Sequence, residues 1–152
     1  MEMIGVVDDN DTEIGSACLD DIYSRNLTHR IVHVLIFNKK KELLLQLRSR
    51  EKKGYPFHWS TSVGGHVRAG ETYEGAALRG AREEIGTDVE FDLVGKDVYL
   101  HSDVPKKFLT TFRCTHEGPF AQEASEVEML GFYSLGEIKR MIGRGERFHP
   151  EL

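Results

Sequence analysis

The chain has 152 residues, which is enough for one domain with a hydrophobic core. Its composition, 39% hydrophobic and 30% charged, is that of a globular protein and argues against disorder. The net charge of −5 is not accompanied by a basic stripe, so no nucleic-acid polymer is expected as a partner.

No apolar run approaches the roughly 20 residues of a membrane-spanning helix, and the first residues lack the pattern of a signal peptide. Only two cysteines are present, Cys18 and Cys114, and neither belongs to a Cys-x-x-Cys pair. We interpret them as reduced thiols, which predicts a cytoplasmic protein.

The chain is predicted to alternate short strands with few helices. In chain order, the predicted strands are residues 3–8, 13–17, 29–37, 42–48, 60–63, 89–100, 108–115 and 126–133. The first two form a hairpin over residues 3–17, and a turn around Pro105 covers residues 102–107. A short helix capped by Asp20 is expected over residues 20–26, and Ser134 is expected to cap a last helix. That helix covers residues 135–142, and a polar, mobile tail follows over residues 143–152.

The segment from residue 65 to 87, GHVRAGETYEGAALRGAREEIGT, begins as a glycine-rich loop and continues with helical spacing. Thr72 is a suitable N-cap, and Gly86 is a suitable residue to end the helix. Apolar side chains that recur every four residues predict one buried stripe, made of Tyr73, Ala77, Ala81 and Ile85.

Charged side chains occupy the last two turns of this predicted helix. Glu83 and Glu84 are about 100° apart around the axis, so both can aim at one point beside the helix, and Arg79 reaches Glu83 at i+4. Paired carboxylates near a glycine loop indicate a hard cation, because Mg²⁺ prefers oxygen ligands and shares its shell with substrate phosphates. The alternative is a solvated helix face with an ion pair.

The spacing of the whole segment resembles the Nudix box of the Nudix hydrolases, G-x5-E-x7-R-E-U-x-E-E-x-G-U, where U is a bulky aliphatic residue. The matching positions are Gly65, Glu71, Arg79, Glu83, Glu84 and Gly86. Gly80 stands where the family has its first helical Glu, Ala81 stands at a U position, and Thr87 replaces the final U.

This resemblance implies an α/β fold, the α/β/α sandwich with a mixed central sheet of Nudix proteins, over residues 1–152 as a single domain. It also implies a divalent-metal-dependent hydrolase that cleaves the diphosphate bond of a nucleoside diphosphate derivative or a similar small molecule, with Mg²⁺ or Mn²⁺ as cofactor. On the family pattern Glu83 and Glu84 are metal ligands, and Arg79 orients Glu83 or another carboxylate of the box. Gly65 brings the backbone close to the metal, and Glu71 fixes the junction of loop and helix.

A further carboxylate is expected from a later loop or strand, where the candidates are Glu123, Glu126 and Glu128. Glu126 is the preferred one, as catalytic residue and metal ligand, and the alternative is an exposed loop carboxylate. Substrate specificity is expected from residues outside the box, with Arg48, Arg50, Phe57, His58, Tyr99 and His101 as candidates. The oligomeric state is not encoded in any recognisable pattern.

Two alternatives stay open. The segments LTHRIVHVLIFN, ELLLQLRS and FHWSTSVGGH resemble the branch related to isopentenyl-diphosphate isomerase, where His29 and His66 match metal-binding histidines. Those isomerases carry a catalytic Cys where this chain has Gly64, which cannot transfer a proton. Their later acidic residues fall near Pro105, Lys106 and Lys107 of this chain. The second alternative is a binding module with weakened catalysis, for which the absence of a carboxylate at Gly80 is the main support.

Overall fold

The computed structural model describes residues 2–52 and 54–150. In chain order the elements are β1 (Met3–Val7), β2 (Glu13–Cys18), α1 (Leu19–Ser24), β3 (His29–Phe37), β4 (Leu43–Arg48), β5 (Trp59–Ser60), β6 (Val63–His66), α2 (Tyr73–Ile85), β7 (Asp92–His101), β8 (Val104–Thr115), β9 (Val127–Tyr133) and α3 (Leu135–Gly143).

Strand β3 lies at the centre of a mixed sheet. Its residues 31–34 pair antiparallel with β6, and its whole length pairs parallel with β8. Strand β7 extends the sheet beyond β8 as an antiparallel neighbour. The predicted hairpin is present as β1 and β2, and it joins β3 through the pair Val6–His29. Most side chains of β3 are buried, as expected from its continuous apolar run.

A second group of strands is built around β4, which pairs with β9 and with β5. Strand β4 joins β3 through the antiparallel pair Phe37–Leu43, beside the turn that connects the two strands. Met141 of α3 packs on this group in a cluster with Leu45, Leu47 and Trp59, while α2 packs on the β3 side. A mixed sheet covered by helices confirms the predicted α/β class.

Helix α2 forms as the sequence predicts. The Thr72 hydroxyl accepts a hydrogen bond from the Gly75 N–H at 3.0 Å, which satisfies one of the free donors of the first turn. Gly86 ends the helix in the left-handed region, at φ 65°, where a glycine is favoured. All four residues of the predicted stripe are buried against the sheet.

Gly80 is buried where α2 crosses β6, and this contact accounts for its presence. A Cβ atom at this position would lie 3.1 Å from Cγ1 of Val63, which is itself fully buried. A side chain at residue 80 would therefore press the helix away from β6. Close packing offsets the cost of about 1 kcal/mol that a glycine imposes on a helix interior relative to alanine.

Two elements in the N-terminal half differ from the expectation. Helix α1 begins at Leu19 after Cys18, so Asp20 lies in its first turn and does not cap it; there its charge still interacts favourably with the helix dipole. The predicted strand over residues 60–63 is two strands, β5 and β6, which pair with different partners, β4 and β3. The pattern of apolar residues alone does not show this change of partner.

The turn predicted around Pro105 is shorter than expected, because β8 already begins at Val104. Pro105 lies within the strand at a position that precedes the pairing with β3, which starts at Lys107, so its missing N–H is not needed there. Strand β7 begins at Asp92 instead of residue 89, and several of its apolar side chains are exposed: Leu93, Val94, Val98 and Leu100. The alternation that indicates a strand therefore does not mark a buried face here.

Specific hydrogen bonds hold the last helix, α3, and the segment that follows it. Ser134 and Glu137 form a capping box at the start of α3, as the serine predicts. The following segment, expected to be a mobile tail, packs beside β5 in its described part. The Trp59 N–H donates to the Arg147 carbonyl at 2.8 Å, and the His149 N–H donates to the Trp59 carbonyl at 2.7 Å.

The contact between Gly80 and Val63 predicts a coupled effect on stability. Gly80→Ala should destabilise the wild-type chain, because the new methyl group meets Val63. In a Val63→Ala background the same change should stabilise by about 1 kcal/mol, since only the gain in helix propensity remains. Urea unfolding of the four proteins in this double-mutant cycle measures the coupling, and equal effects in both backgrounds would contradict it.

Candidate active site

A cavity of about 1000 Å³ opens over the face formed by β3 and β6. Gln46, Gly64, Gly65 and Glu126 line one part of it, next to the box. Another part is lined by Tyr23, Tyr99 and Lys107, which come from α1, β7 and β8. The strand order places residues that are far apart in the sequence around a single chamber.

An ion-pair network fixes the loop that precedes α2. Arg79 donates from Nε to Glu71 Oε2 at 2.7 Å and from Nη2 to Glu71 Oε1 at 2.9 Å, and Nη2 also bonds the His66 carbonyl at 3.0 Å. Glu71 Oε1 accepts a further bond from the Arg68 N–H at 2.8 Å. The hydrogen bonds from Arg79 are the main reason why the pKa of Glu71 is lowered, although partial burial opposes them.

Glu84 points inward, against the backbone of Gly64 and Gly65. Its Oε1 accepts a hydrogen bond of 2.7 Å from Gln46 Nε2, and Gln46 Nε2 also reaches the Ser62 carbonyl at 3.0 Å. The pKa of Glu84 is raised to about 7, mainly by burial and less by the charge of Glu126, while the hydrogen bonds from Gln46 and the Gly64 N–H oppose the shift. The carboxylate is thus held in place but is poorly stabilised as an anion.

Glu83 points away from Glu84 and contacts two guanidinium groups. Its Oε2 lies 3.1 Å from Arg79 Nη1 and its Oε1 lies 3.5 Å from Arg68 Nη2, and half of its side chain is exposed. The two neighbouring glutamates, which we expected to aim at one point, have different partners in this structure. Among residues 2–52 and 54–150, no three His, Cys, Asp or Glu side chains converge closely enough to hold a metal ion.

Of the three candidates for a further carboxylate, Glu126 is the one that lines the cavity. Its Oε2 lies 2.5 Å from Lys52 Nζ, and its charge influences Glu84. Glu128 is 3.7 Å from Arg50, and Glu123 accepts a hydrogen bond from the Ser125 hydroxyl at 3.3 Å.

The loop before Glu126 is attached to the end of α2. The Ala121 N–H donates to the Ile85 carbonyl at 2.8 Å, and the Glu123 N–H donates to the Glu84 carbonyl at 3.1 Å. A turn then connects Glu123 to Glu126 through a bond of 2.9 Å from the Glu126 N–H to the Glu123 carbonyl. These bonds explain how Glu126 is brought near the box.

The candidate specificity residues separate into two groups. Arg48 and Tyr99 line the cavity, whereas within the described residues its lining does not include Arg50, Phe57, His58 or His101. Arg50 lies over the ring of Phe57 at 4.4 Å, and Trp59 is buried in a cluster with Met141 of α3.

Sequence reasoning missed several residues of the cavity, namely Gln46, Lys107 and His149. Gln46 had a visible signal, because it is the one polar residue of the apolar run LLLQL in β4. Lys107 had none, since a lysine at the end of a predicted turn is expected to be solvated.

Comparison with known proteins shows which family this chain belongs to. The model of the NUDIX domain matches residues 27–152. The chain belongs to the Nudix family. Membership confirms the resemblance to the Nudix hydrolases and the predicted enzyme class, that of a Nudix pyrophosphohydrolase. Members of this family act on small-molecule diphosphates and generally use divalent metal ions.

Individual relatives agree with this assignment. An uncharacterized Nudix hydrolase of Streptomyces coelicolor is 30% identical over 99% of this chain and 83% of its own length. Isopentenyl-diphosphate Delta-isomerase 2 of Photorhabdus laumondii is 36% identical over 71% of this chain, and the match spans only 60% of that enzyme. The crystal structure of a Deinococcus radiodurans protein has the same fold, with a TM-score of 0.85 at 21% identity over 99% of this chain and 94% of the other.

In the part of the chain that the structure describes, no helix combines the length and the apolar character that crossing a bilayer requires.

The Glu71–Arg79 ion pair predicts a pH-dependent contribution to stability. Because the pKa of Glu71 is lowered from its ordinary value of 4.5, this contribution is complete above pH 4.5 and is lost as the pH falls through the folded-state pKa. Glu71→Gln should lower the free energy of unfolding by about 1–3 kcal/mol at pH 7, and the difference from wild type should shrink below pH 4.5.

Asp88→Asn provides the matched control, because Asp88 pairs with Arg82 of the same helix at 2.5 Å but both side chains are mostly exposed. This substitution should cost less than about 1 kcal/mol at pH 7. Urea unfolding between about pH 3 and about pH 8, a range that includes the ordinary pKa values of carboxyl groups, measures both effects. Equal losses for the two variants would mean that the Glu71 pair is an ordinary surface ion pair.

Proposed function

We propose that this Nudix protein hydrolyses the diphosphate bond of a nucleoside diphosphate derivative or similar small molecule and requires a divalent metal ion, Mg²⁺ or Mn²⁺. The observation that carries the proposal is the carboxylate of Glu84, which lies half-buried against Gly64 and Gly65, two residues that line the cavity. Burial and the charge of Glu126 both disfavour its ionised form, so a bound cation would stabilise it.

The residues at this end of the cavity fit a hard cation. Glu84 and Glu126 would supply carboxylate oxygens, Glu83 would join them if it left its arginine partners, and Gly65 would offer its carbonyl. A Cβ atom at Gly65 would be 3.9 Å from Glu84 Oε2, so the backbone approaches this carboxylate closely. When bound, the metal neutralises phosphate oxygens and lowers the pKa of a coordinated water.

The chain's own residues would position the reactants. Gln46 holds Glu84 through its 2.7 Å hydrogen bond, and the Arg79–Glu71 pair holds the loop around Gly65. Lys52 and Arg48 line the cavity and would attract the negative diphosphate. Water adds to one phosphorus atom as the bridging P–O bond breaks, and the bridging oxygen leaves on the other phosphate.

The remaining features support the same proposal. We propose that residues 1–152 form one Nudix domain, because the described strands belong to a single connected sheet. The two thiols are free, which supports a cytoplasmic location. A binding module without catalysis loses its main support, since packing on Val63 accounts for Gly80.

Hydrolysis should depend on the metal and on Glu84. Phosphate or nucleoside monophosphate release, measured over a panel of nucleoside diphosphate derivatives, should require Mg²⁺ or Mn²⁺ and stop with EDTA. Glu84→Gln keeps the shape but removes the charge, so turnover should fall by at least about 100-fold, or roughly 2.7 kcal/mol. Glu74→Gln, in the first turn of the same helix, is the control and should retain activity.

Two results would overturn this proposal. One is hydrolysis by the pure protein without any divalent ion. The other is near wild-type turnover by a folded Glu84→Gln variant.

The isomerase alternative rests on the relatives with that name and has a separate test. Gly64 carries no proton donor, and a Cβ atom there would lie 3.3 Å from both His33 and Thr61, so the position is crowded. Incubation with isopentenyl diphosphate and Mg²⁺ should therefore yield no dimethylallyl diphosphate above the rate of a Glu84→Gln control. Formation of that product at enzyme-like rates would show that another group replaces the missing acid.

A further inference from the structure

An ion pair between a lysine and a glutamate lies in the wall of the cavity, beside the box. Lys52 and Glu126 both line the cavity, and Lys52 Nζ lies 2.5 Å from Glu126 Oε2, with both side chains partly buried. The proposed function assigns this carboxylate to the metal ion. An ammonium group is therefore bound to an oxygen atom that a divalent cation would also use.

Backbone hydrogen bonds hold the two partners of this ion pair close together. The Lys52 N–H donates to the Ser49 carbonyl at 3.2 Å, and the Ser49 N–H donates to the Glu126 carbonyl at 3.1 Å. Ser49 is buried, so this connection is protected from water. Exposed ion pairs contribute little in part because two mobile side chains must be ordered, whereas here the two backbone segments are already joined.

The charge of Lys52 also acts on Glu84. Burial is the main cause of the raised pKa of Glu84, the charge of Glu126 adds to it, and the charge of Lys52 opposes it. One ammonium group thus partly neutralises two carboxylates that influence each other. A divalent cation at the same two carboxylates would act in the same direction and more strongly, because it carries twice the charge.

A divalent cation and this ammonium group oppose each other at Glu126. Like charges a few ångströms apart repel, and the repulsion is larger where the protein shields them from water. The lysine stem is flexible and carries its charge at the tip, so the ammonium group can leave Glu126 while the backbone of Lys52 stays bonded to Ser49. After that movement Lys52 is still a cation of the cavity wall.

We propose that Lys52 and a divalent cation compete for Glu126, so that metal binding releases Lys52 to contact the anionic substrate. The anion in turn holds the ammonium group away from Glu126. Such coupling is reciprocal, so the metal ion and the anion each raise the affinity of the protein for the other. The proposal rests on the proposed function for the metal site, but the competition itself does not depend on hydrolysis.

The first test measures Mg²⁺ binding to the full-length protein by calorimetry, with no substrate present. Lys52→Met removes the competing charge, so it should bind Mg²⁺ at least about 5-fold more tightly than wild type, which corresponds to about 1 kcal/mol. Lys52→Arg keeps the charge and should not show this gain. Equal Mg²⁺ affinities of wild type and Lys52→Met, or no Mg²⁺ binding by either protein, would overturn the competition.

Arg50→Met is the matched control. Arg50 belongs to the same loop and lies 3.7 Å from Glu128, but within the described residues it does not line the cavity. This variant should leave the Mg²⁺ affinity unchanged. A gain equal to that of Lys52→Met would show that any positive charge of the loop weakens metal binding, and the specific competition at Glu126 would be wrong.

A second measurement follows the lysine side chain by NMR of protein with ¹³C-labelled lysine. The Cε signal of Lys52 is the one that Lys52→Met removes, and Lys52→Gln serves the same purpose if that variant does not fold. Mg²⁺ should shift this signal with the midpoint found by calorimetry. The signal of Lys106, which pairs with Asp9 at 3.3 Å on the surface, should not move. A Lys52 signal that stays in place while Mg²⁺ binds would contradict the release.

Methylenebisphosphonate, a diphosphate analogue with a carbon bridge, tests the coupling to the anion. Mg²⁺ should raise its affinity for wild type more than for Lys52→Met. Chelation of Mg²⁺ by the analogue in solution is the same for both proteins, so the comparison isolates the lysine. Equal increases would overturn the transfer of Lys52 to the anion.

Turnover separates this proposal from the proposed function. If hydrolysis requires a metal ion but Lys52→Met binds Mg²⁺ no more tightly than wild type, the competition fails and the proposed function stands. If Mg²⁺ shifts the Lys52 signal and binds Lys52→Met more tightly, but no diphosphate is hydrolysed, the proposed function fails and the competition stands.

Discussion

The close contact between α2 and β6 is the constraint on which the site depends. Gly80 allows the helix to approach Val63, and Glu84 follows one turn later on the same side. Its carboxylate consequently reaches Gln46 and the backbone of the box loop. A wider separation would weaken the hydrogen bond to this carboxylate as well as the packing, because the bond from the Gly64 N–H crosses the same interface.

The parts of the structure that the sequence predicts well are those decided within one segment. The cap at Thr72, the end at Gly86 and the buried stripe of α2 all follow from residues less than four turns apart. The Nudix assignment likewise depended on one contiguous spacing. Local rules succeed here because the chemistry of each position is satisfied by neighbours along the chain.

The features that escaped prediction arise from pairing between distant strands. Lys107 faces the cavity because β8 lies parallel to β3, and no local pattern encodes that register. Gln46 is buried because Glu84 and the Ser62 carbonyl accept its amide hydrogens. The division of residues 60–63 into two strands, and the strand position of Pro105, follow from the same choice of partners.

The attachment of the 116–125 loop to the end of α2 has a consequence for local motion. The amides of Ala121 and Glu123 are hydrogen-bonded to carbonyls of Ile85 and Glu84, so their exchange with solvent requires the loop to leave the helix. The same opening would carry Glu126 away from Glu84, since one turn connects it to Glu123. The exchange rates of these two amides therefore report the free energy of separating the carboxylate pair, even when the rest of the domain stays folded.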